Sequence, residues 1–538
     1  MFLRNLEEKL ILQTQQRVKR GLKDLPSPLL LKNNTLAAKR IVSLLMEGKK
    51  MLIVGDYDTD GILATTIMYG FLAEAGFSEQ VDYLIPSRLK DGYGLSENVI
   101  VHAIEEKYDF IVTVDNGISA IAAIDLANRN NLKVIITDHH TAGKELPKAN
   151  IIVNPRVEGE TLPYTHISGA TVAWYVVAEI KRELNSNINI NKYLDLVAIT
   201  ILADVMPLDD INLPILQYGM TLIKSRSRLI YKLIWNDWTA PTIDETAVSF
   251  NMVPMINAIG RIANANIGVK MFLSEDEYEI KNLVDDMKEI NEQRKELTRL
   301  YIDEADKYIE EFIDVSNKKV IIVRNSHFHE GIIGIIAGRI AEKYQLPAYV
   351  FAYNEEKNIW KGSARSTGNV HLYNLTSKVD YLLAGFGGHK GAVGLAVTSE
   401  NWDKMNEELS LEADKIDPHV FTENGKLVIN CSLDEINQDL INLMKKYGPY
   451  GHGNLKPIFR TVVSVHVDKE MKGGIHFKCI CKQNNSNIVG LFFNVKKDEF
   501  LDIINDKLII DFDPSVSYNL RKDLFNIEII VSSFKKAL

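Results

Sequence analysis

The sequence predicts an α/β protein: a first lobe built on a parallel sheet, a long connecting helix, a second α/β lobe and a C-terminal OB-like β-barrel. Three observations predict it. Short β-branched runs alternate with amphipathic stretches from Lys50 onward, the pattern of a parallel sheet covered on both faces. Asp276–Phe312 carries apolar residues at helical spacing with no Gly or Pro, which suits a strut between lobes. The tail from Phe421 holds short alternating segments that suit a small barrel, the five-stranded OB type foremost.

In chain order, residues 1–50 hold eleven Lys/Arg against four Asp/Glu and are expected to form a basic N-terminal helical arm. The first lobe is expected over 51–215. There Met51–Gly55 runs into Asp56, Phe110–Val114 into Asp115, Lys133–Thr137 into Asp138, and Asn150–Val153 into Asn154-Pro155. Ser168–Ala203 reads as two helices, interrupted by the polar Asn185–Asn191 and leading to Asp204. Residues 216–317 are expected as a linker region that includes the long helix. The second lobe, 318–415, opens at Lys319–Arg324 and contains the Gly-rich Gly385–Gly394. KLVINCSL, IFRTVVSVHV, IHFKCICK, NIVGLFFNV and FNIEIIVSSF are the expected barrel strands within 421–538.

Composition narrows the function. A chain of 538 residues, 46% hydrophobic and 25% charged, is ordinary for a globular protein. No apolar run is long enough for a membrane span, and MFLRNLEEKLILQTQQ does not read as a signal peptide. Three cysteines exclude a disulfide framework and a Cys-rich zinc site. A cytoplasmic setting is expected. The net charge of −9 argues against indiscriminate coating of nucleic acid, whereas a basic segment ahead of an acidic body suits a nucleic-acid partner.

In open parallel sheets ligands bind outside the carboxyl ends of the strands, where three of these runs deliver acids. A lone carboxylate there is usually a helix cap or turn residue. A gathered set is different: two carboxylates about 4 Å apart repel by roughly 4 kcal/mol at an effective dielectric near 20, so gathering them calls for cations. Oxygen ligands with an imidazole fit Mn²⁺ or Mg²⁺. Asp56, Asp58 and Asp60 alternate through one turn, and Asp115, Asp138-His139-His140 and Asp204 complete the set. One histidine can bind metal while the other faces substrate. Two ions about 3.5–4 Å apart clamp a phosphate and activate water, which makes phosphoester hydrolysis the expected reaction.

GDYDTDG, VDNG, TDHH and LADVMPL resemble the four motifs of the DHH phosphoesterase superfamily. Within it the chain resembles the RecJ 5′→3′ single-strand-specific exonucleases over nearly its whole length. The resemblance implies two Mn²⁺ ions, with Mg²⁺ as the alternative, held by Asp56, Asp58, Asp60, Asp115, His139 and Asp204. It implies that His140 contacts the scissile phosphate and that Asp138 buttresses the histidines. Val54 stands where superfamily pyrophosphatases carry histidine, a departure that favours the nuclease branch.

On the substrate side, Arg suits phosphate through its bidentate fork. Pro86-Ser87-Arg88 with Gly92-Tyr93-Gly94 resembles a family segment in which Arg88 holds phosphate and Tyr93 stacks or hydrogen-bonds. Asn257-Ala258-Ile259-Gly260-Arg261 resembles the NAxGR motif, which places Arg261 on the substrate. Gly362–Ser366 resembles the SxRS motif, implying that Ser363 and Arg365 capture a terminal phosphate. Gly385–Gly394 is no Walker A loop, since Lys390 lacks its flanking Gly and Ser/Thr. It resembles the GGHxxAxG signature of the DHH-associated domain, with Gly387, Gly388 and His389 on substrate. In the tail, Arg460, Lys469, Lys472 and His476 lie near Phe459 and Phe477, a candidate single-strand groove. The partners implied are single-stranded DNA, a single-strand-binding protein and a helicase, for a monomer acting in DNA repair and recombination. The alternatives are an oligonucleotide or cyclic-dinucleotide phosphodiesterase of the same superfamily, and an inactive replication scaffold.

Overall fold

The computed structural model describes residues 2–14, 21–87, 94–143, 145–237, 239–421, 427–471, 474–495, 497–519 and 524–537. The first lobe is built on β1 (Met51–Val54), β2 (Val81–Leu84), β3 (Phe110–Val114), β4 (Lys133–Thr137) and β5 (Ile151–Val153). All pair in parallel, in the order β2-β1-β3-β4-β5. Side chains alternate across a strand, so Met51, Ile53, Val112 and Ile135 enter one core and Leu52, Val54, Ile111 and Val134 the other. The strand order reverses between β1 and β3, which opens a crevice at their carboxyl ends.

The helices from 212 to 273 pack together, although the stretch from 216 onward is expected as a linker region. Ile215, Leu216, Ile230, Tyr231, Trp235, Ile256 and Ile259 all belong to the first lobe's main core. Arg228 ties this extension down with Nε and Nη2 on the buried Asp195 at 2.5 and 3.1 Å. The Glu277–Phe312 helix is continuous and about 54 Å long at 1.5 Å per residue. It puts Ile280, Val284 and Met287 into the first lobe and Ala305 and Ile309 into the second.

The second lobe pairs β6 (Ile321–Asn325), β7 (Ala348–Asn354), β8 (Ile359–Arg365), β9 (Gly385–Gly388) and β10 (Ala392–Thr398) in the order β6-β7-β8-β10-β9, with only β6–β7 parallel.

The tail comprises β11 (Val428–Asn430), β12 (Ile458–Met471), β13 (His476–Gln483), β14 (Ser486–Phe492), β15 (Lys507–Asn519) and β16 (Leu524–Lys536). Pairing of β12 with β15 closes a barrel in the order β12-β13-β14-β16-β15. The barrel is five-stranded, but its membership differs from the expectation. KLVINCSL gives only the three-residue β11, while the unforeseen β15 supplies the closing strand. Asp511, Asp513 and Pro514 disguise β15 in the sequence. Pro is tolerated because β15 pairs with β12 only as far as Phe512, which leaves an edge at Pro514 that needs no donor. Phe459 and Phe477 are fully buried inside the barrel and so are not stacking surfaces. Arg460 is held by Asp511 at 2.5 and 2.8 Å. Lys472 lies outside the described residues.

Residues 1–50 do not form one arm. The Phe2–Thr14 helix sends Leu6 and Leu10 into the barrel's core, and the Asn34–Met46 helix sends Ala37, Ile41 and Leu45 into the first lobe's. Leu10→Ala is expected to cost about 2–5 kcal/mol, seen as earlier hydrogen exchange in the barrel strands with β1 and β3 unaffected.

Candidate metal centre and substrate cleft

The crevice between β1 and β3 gathers the acids. Asp58 caps the Thr59–Leu72 helix, its Oδ1 accepting from the amides of Asp60 and Gly61 at 2.9 and 3.1 Å. Asp60, fully buried, accepts from the amides of Gly169 (2.5 Å) and Ala170 (2.8 Å) at the start of the Gly169–Glu183 helix. Helix N-termini favour negative charge. A Cβ on Gly169 would lie 2.3 Å from Asp115 Oδ1, so only glycine lets this helix approach both acids. Asp115 follows β3 with φ +62°, a left-handed conformation uncommon outside glycine and Asn/Asp. The next residue supports it: Asn116 Nδ2 donates to Val54 O and Val114 O, both at 2.9 Å, tying β1 to β3.

The imidazole of His139 lies at the centre. Its Nδ1–H donates to Ile167 O at 2.8 Å, which leaves Nε2 as a lone pair once the ring is neutral. Burial pushes the His139 pKa down, towards that neutral form. Nε2 faces Asp115 Oδ1 at 3.1 Å, Asp60 Oδ2 at 3.6 Å and Asp204 Oδ2 at 3.7 Å. A bare lone pair among three carboxylates is repulsive unless a cation sits among them. Three donor groups fit that need: Asp60–His139–Asp204, Asp115–His139–His140 and Asp56–Asp58–Asp115, each with its ligand atoms within 4.8 Å of one another. Asp115 belongs to two of them. Burial first, and then the charge of Asp60, pushes the Asp115 and Asp204 carboxyls well above the ordinary range. An oxygen-rich set with imidazole fits Mn²⁺ or Mg²⁺.

His140 is oriented separately. Its Nδ1 meets Asp138 Oδ1 at 2.8 Å, and Asp138 also accepts from the amides of His139 (2.7 Å), His140 (3.1 Å) and Ile118 (2.9 Å). Burial alone would raise the Asp138 pKa, but the bond to His140 and its charge hold it below the ordinary value. His140 is correspondingly raised by Asp138 against its own burial.

Across the cleft, Ser363, Gly394 and Gly387 are register partners on β8, β10 and β9. A Cβ on Gly387 or Gly394 would meet nothing within 4 Å, so the backbone there faces open space. Arg365 Nη1 reaches Ser363 Oγ at 3.1 Å, beside Gly334 in the first turn of the Ile333–Tyr344 helix. His389 follows Gly388 (φ +147°). Burial first, and then the charges of Arg365 and His140 among others, pushes its pKa down. Arg261 donates to Gly331 O at 3.0 Å. Arg88 and Tyr93 lie outside the described residues. Glu330 pairs with Lys361 at 2.8 Å.

Sequence reasoning missed the groups that brace the first loop. Asn257 Oδ1 accepts from both the amide and the hydroxyl of Thr59 at 3.0 Å. A Cβ on Gly260 would fall 1.8 Å from Tyr57 O. Asn257 and Gly260 stand in the same NAIGR segment as Arg261, so the signal was present but was read only for its charge.

A parallel-sheet lobe with carboxylates around an imidazole, facing a glycine-lined second lobe, defines a DHH-type protein. Residues 50–201 match the DHH family N-terminal domain, 317–414 the DHHA1 domain and 429–526 the RecJ OB domain. The single-stranded-DNA-specific exonuclease RecJ of Dickeya dadantii is 30% identical over 92% of this chain and 89% of its own length. RecJ of Bacillus subtilis is 32% identical over 88% of this chain, which spans 59% of that relative's length. The chain belongs to the RecJ family. In structure, RecJ of Thermus thermophilus in complex with Mn²⁺ superposes with a TM-score of 0.78, at 23% identity over 99% of this chain and 76% of that one. A second structure, exonuclease RecJ bound to manganese, gives 0.61 at 28% identity over 72% of this chain and 96% of that one. No helix among the described residues is long and apolar enough to cross a membrane.

Proposed function

We propose that this chain is a divalent-metal-dependent exonuclease that hydrolyses single-stranded DNA from its 5′ end to mononucleotides, in DNA repair and recombination. The observation that carries the chemistry is His139 Nε2, which faces the buried carboxylates of Asp60 and Asp115 and the partly exposed one of Asp204. Asp56, Asp58, Asp60, Asp115, His139 and Asp204 would hold the ions. When bound, divalent ions neutralise phosphoryl charge and make water a nucleophile near neutral pH. His140, oriented by Asp138, donates a hydrogen bond to an oxygen of the scissile phosphate. Ser363, Arg365 and the glycine backbone at Gly387 and Gly388 grip the terminal phosphate, with His389 beside them on the second lobe's side of the cleft. Arg261 adds a cation at the junction of the two lobes. The metal loop keeps its shape under substrate through Asn257, so Asn257→Ala is expected to lower metal affinity about 10- to 100-fold.

Digestion of a single strand labelled at either end, with Mn²⁺ or Mg²⁺, tests the reading. Release of labelled mononucleotide first from the 5′ end, with duplex spared, is the expected result. Label lost first from the 3′ end would refute the polarity. Turnover confined to dinucleotides would favour the oligonucleotide phosphodiesterase.

A further inference from the structure

We propose that Arg156 is an additional substrate contact, gripping a backbone phosphate of the strand as it passes from the His139–His140 pair towards His389. The inference rests on the nuclease reading and adds a residue to it. Arg156 stands just past the carboxyl end of β5, on the sheet edge that carries the metal-binding acids. Asn154 fixes it there: the Arg156 amide donates to Asn154 Oδ1 at 2.8 Å, and Asn154 Nδ2 donates to the carbonyl of His140 at 3.0 Å. The turn that presents the guanidinium is thus tied to the catalytic histidine segment. The guanidinium reaches the same segment, its Nη1 donating to Thr141, the residue after His140, and its charge also bears on His389 of the second lobe.

Its hydrogen bonding is incomplete. A guanidinium has five N–H donors. Among the described residues Arg156 uses one, Nη1 to Thr141 Oγ1 at 3.3 Å, and its Nε is buried without a partner. The carboxylate of Asp138, whose charge bears on it, is already engaged by His140. Structural arginines in this molecule look different. Arg228 places Nε and Nη2 on Asp195 and reaches two backbone carbonyls besides, and Arg460 is bidentate to Asp511. A cation with spare donors at a phosphoester cleft has the geometry to take a phosphodiester, which offers two oxygens to the fork.

The test uses the full chain, with a 5′-phosphorylated oligothymidylate as substrate and Mn²⁺ present. Arg156→Gln is expected to lower kcat/KM about 10- to 100-fold, with unchanged Mn²⁺ half-saturation. The slope of log KM against log [NaCl] should fall by about 0.7, the value for one phosphate contact on a single strand. Arg156→Lys should keep the salt slope and recover part of the rate, and Thr141→Val should behave as wild type. Competitor strands carrying one methylphosphonate locate the contact: at one linkage the wild-type loss in inhibition should vanish in Arg156→Gln. An unchanged salt slope with additive methylphosphonate losses at every linkage would overturn the proposal. So would a raised Mn²⁺ requirement shared with Thr141→Val, which would make Arg156 a brace for the histidine segment. A wild-type chain that fails to cleave would instead sink the nuclease reading itself.

Discussion

Asp115→Asn is expected to abolish hydrolysis while making the metal-free protein more stable. Asparagine tolerates the left-handed backbone of this position, so the loop after β3 keeps its shape and only the charge is lost. Asp115 is shared by two donor groups, and losing several kcal/mol of transition-state charge stabilisation corresponds to about a thousandfold or more in rate. Stability moves the other way. The Asp115 carboxyl is held well above its ordinary pKa by burial and then by the charges of Asp60 and Asp58. A raised pKa in the folded state means that folding takes up protons, so metal-free protein gains stability as pH falls from neutrality and loses it as pH rises. Removing the charge gives the same benefit at neutral pH. Thermal unfolding in EDTA should show a higher Tm for the variant than for wild type, and a wild-type Tm that rises on mild acidification. A lower Tm for the variant, or retained activity in Mn²⁺, contradicts the assignment.

Gly169→Ala is expected to be nearly as damaging, although residue 169 has no side chain to offer a metal. The new methyl would lie 2.3 Å from Asp115 Oδ1, so the Gly169–Glu183 helix must retreat. Retreat breaks the two amide bonds to Asp60. Loss of such supporting contacts weakens metal affinity or activity about 10- to 100-fold. Calorimetric titration with Mn²⁺ on folded protein checks this without turnover; wild-type affinity would show that the helix does not position Asp60.

The acids were legible because strand–acid–turn is a local pattern: Val54, Val114 and Thr137 end apolar runs, and the residues that follow must emerge at one sheet edge. That single fact placed Asp56, Asp115 and Asp138 in one crevice before any coordinates. The bracing contacts were not legible, because they join distant parts of the chain. Asn257 meets Thr59 across 198 positions, and Gly169 meets Asp60 across 109; an Asn or a Gly carries no sign of its partner. Charge misled at both ends of the chain. The basic count of residues 1–50 concealed two helices that serve different cores, and the acids of β15 masked the strand that closes the barrel. Arg156 was overlooked although it follows the fourth strand–turn boundary, because that boundary delivers Asn-Pro where the others deliver acids.

The Phe2–Thr14 helix has one more consequence. Its apolar face packs against Phe459 and its neighbours in the barrel, and Gln13 is fastened to Asn454 and Leu455. During translation this segment is made before the barrel that shelters it, whose closing pair β15–β16 lies at 507–536. Fragments that stop short of β16 therefore leave Leu6 and Leu10 without the complete core that covers them in the folded chain.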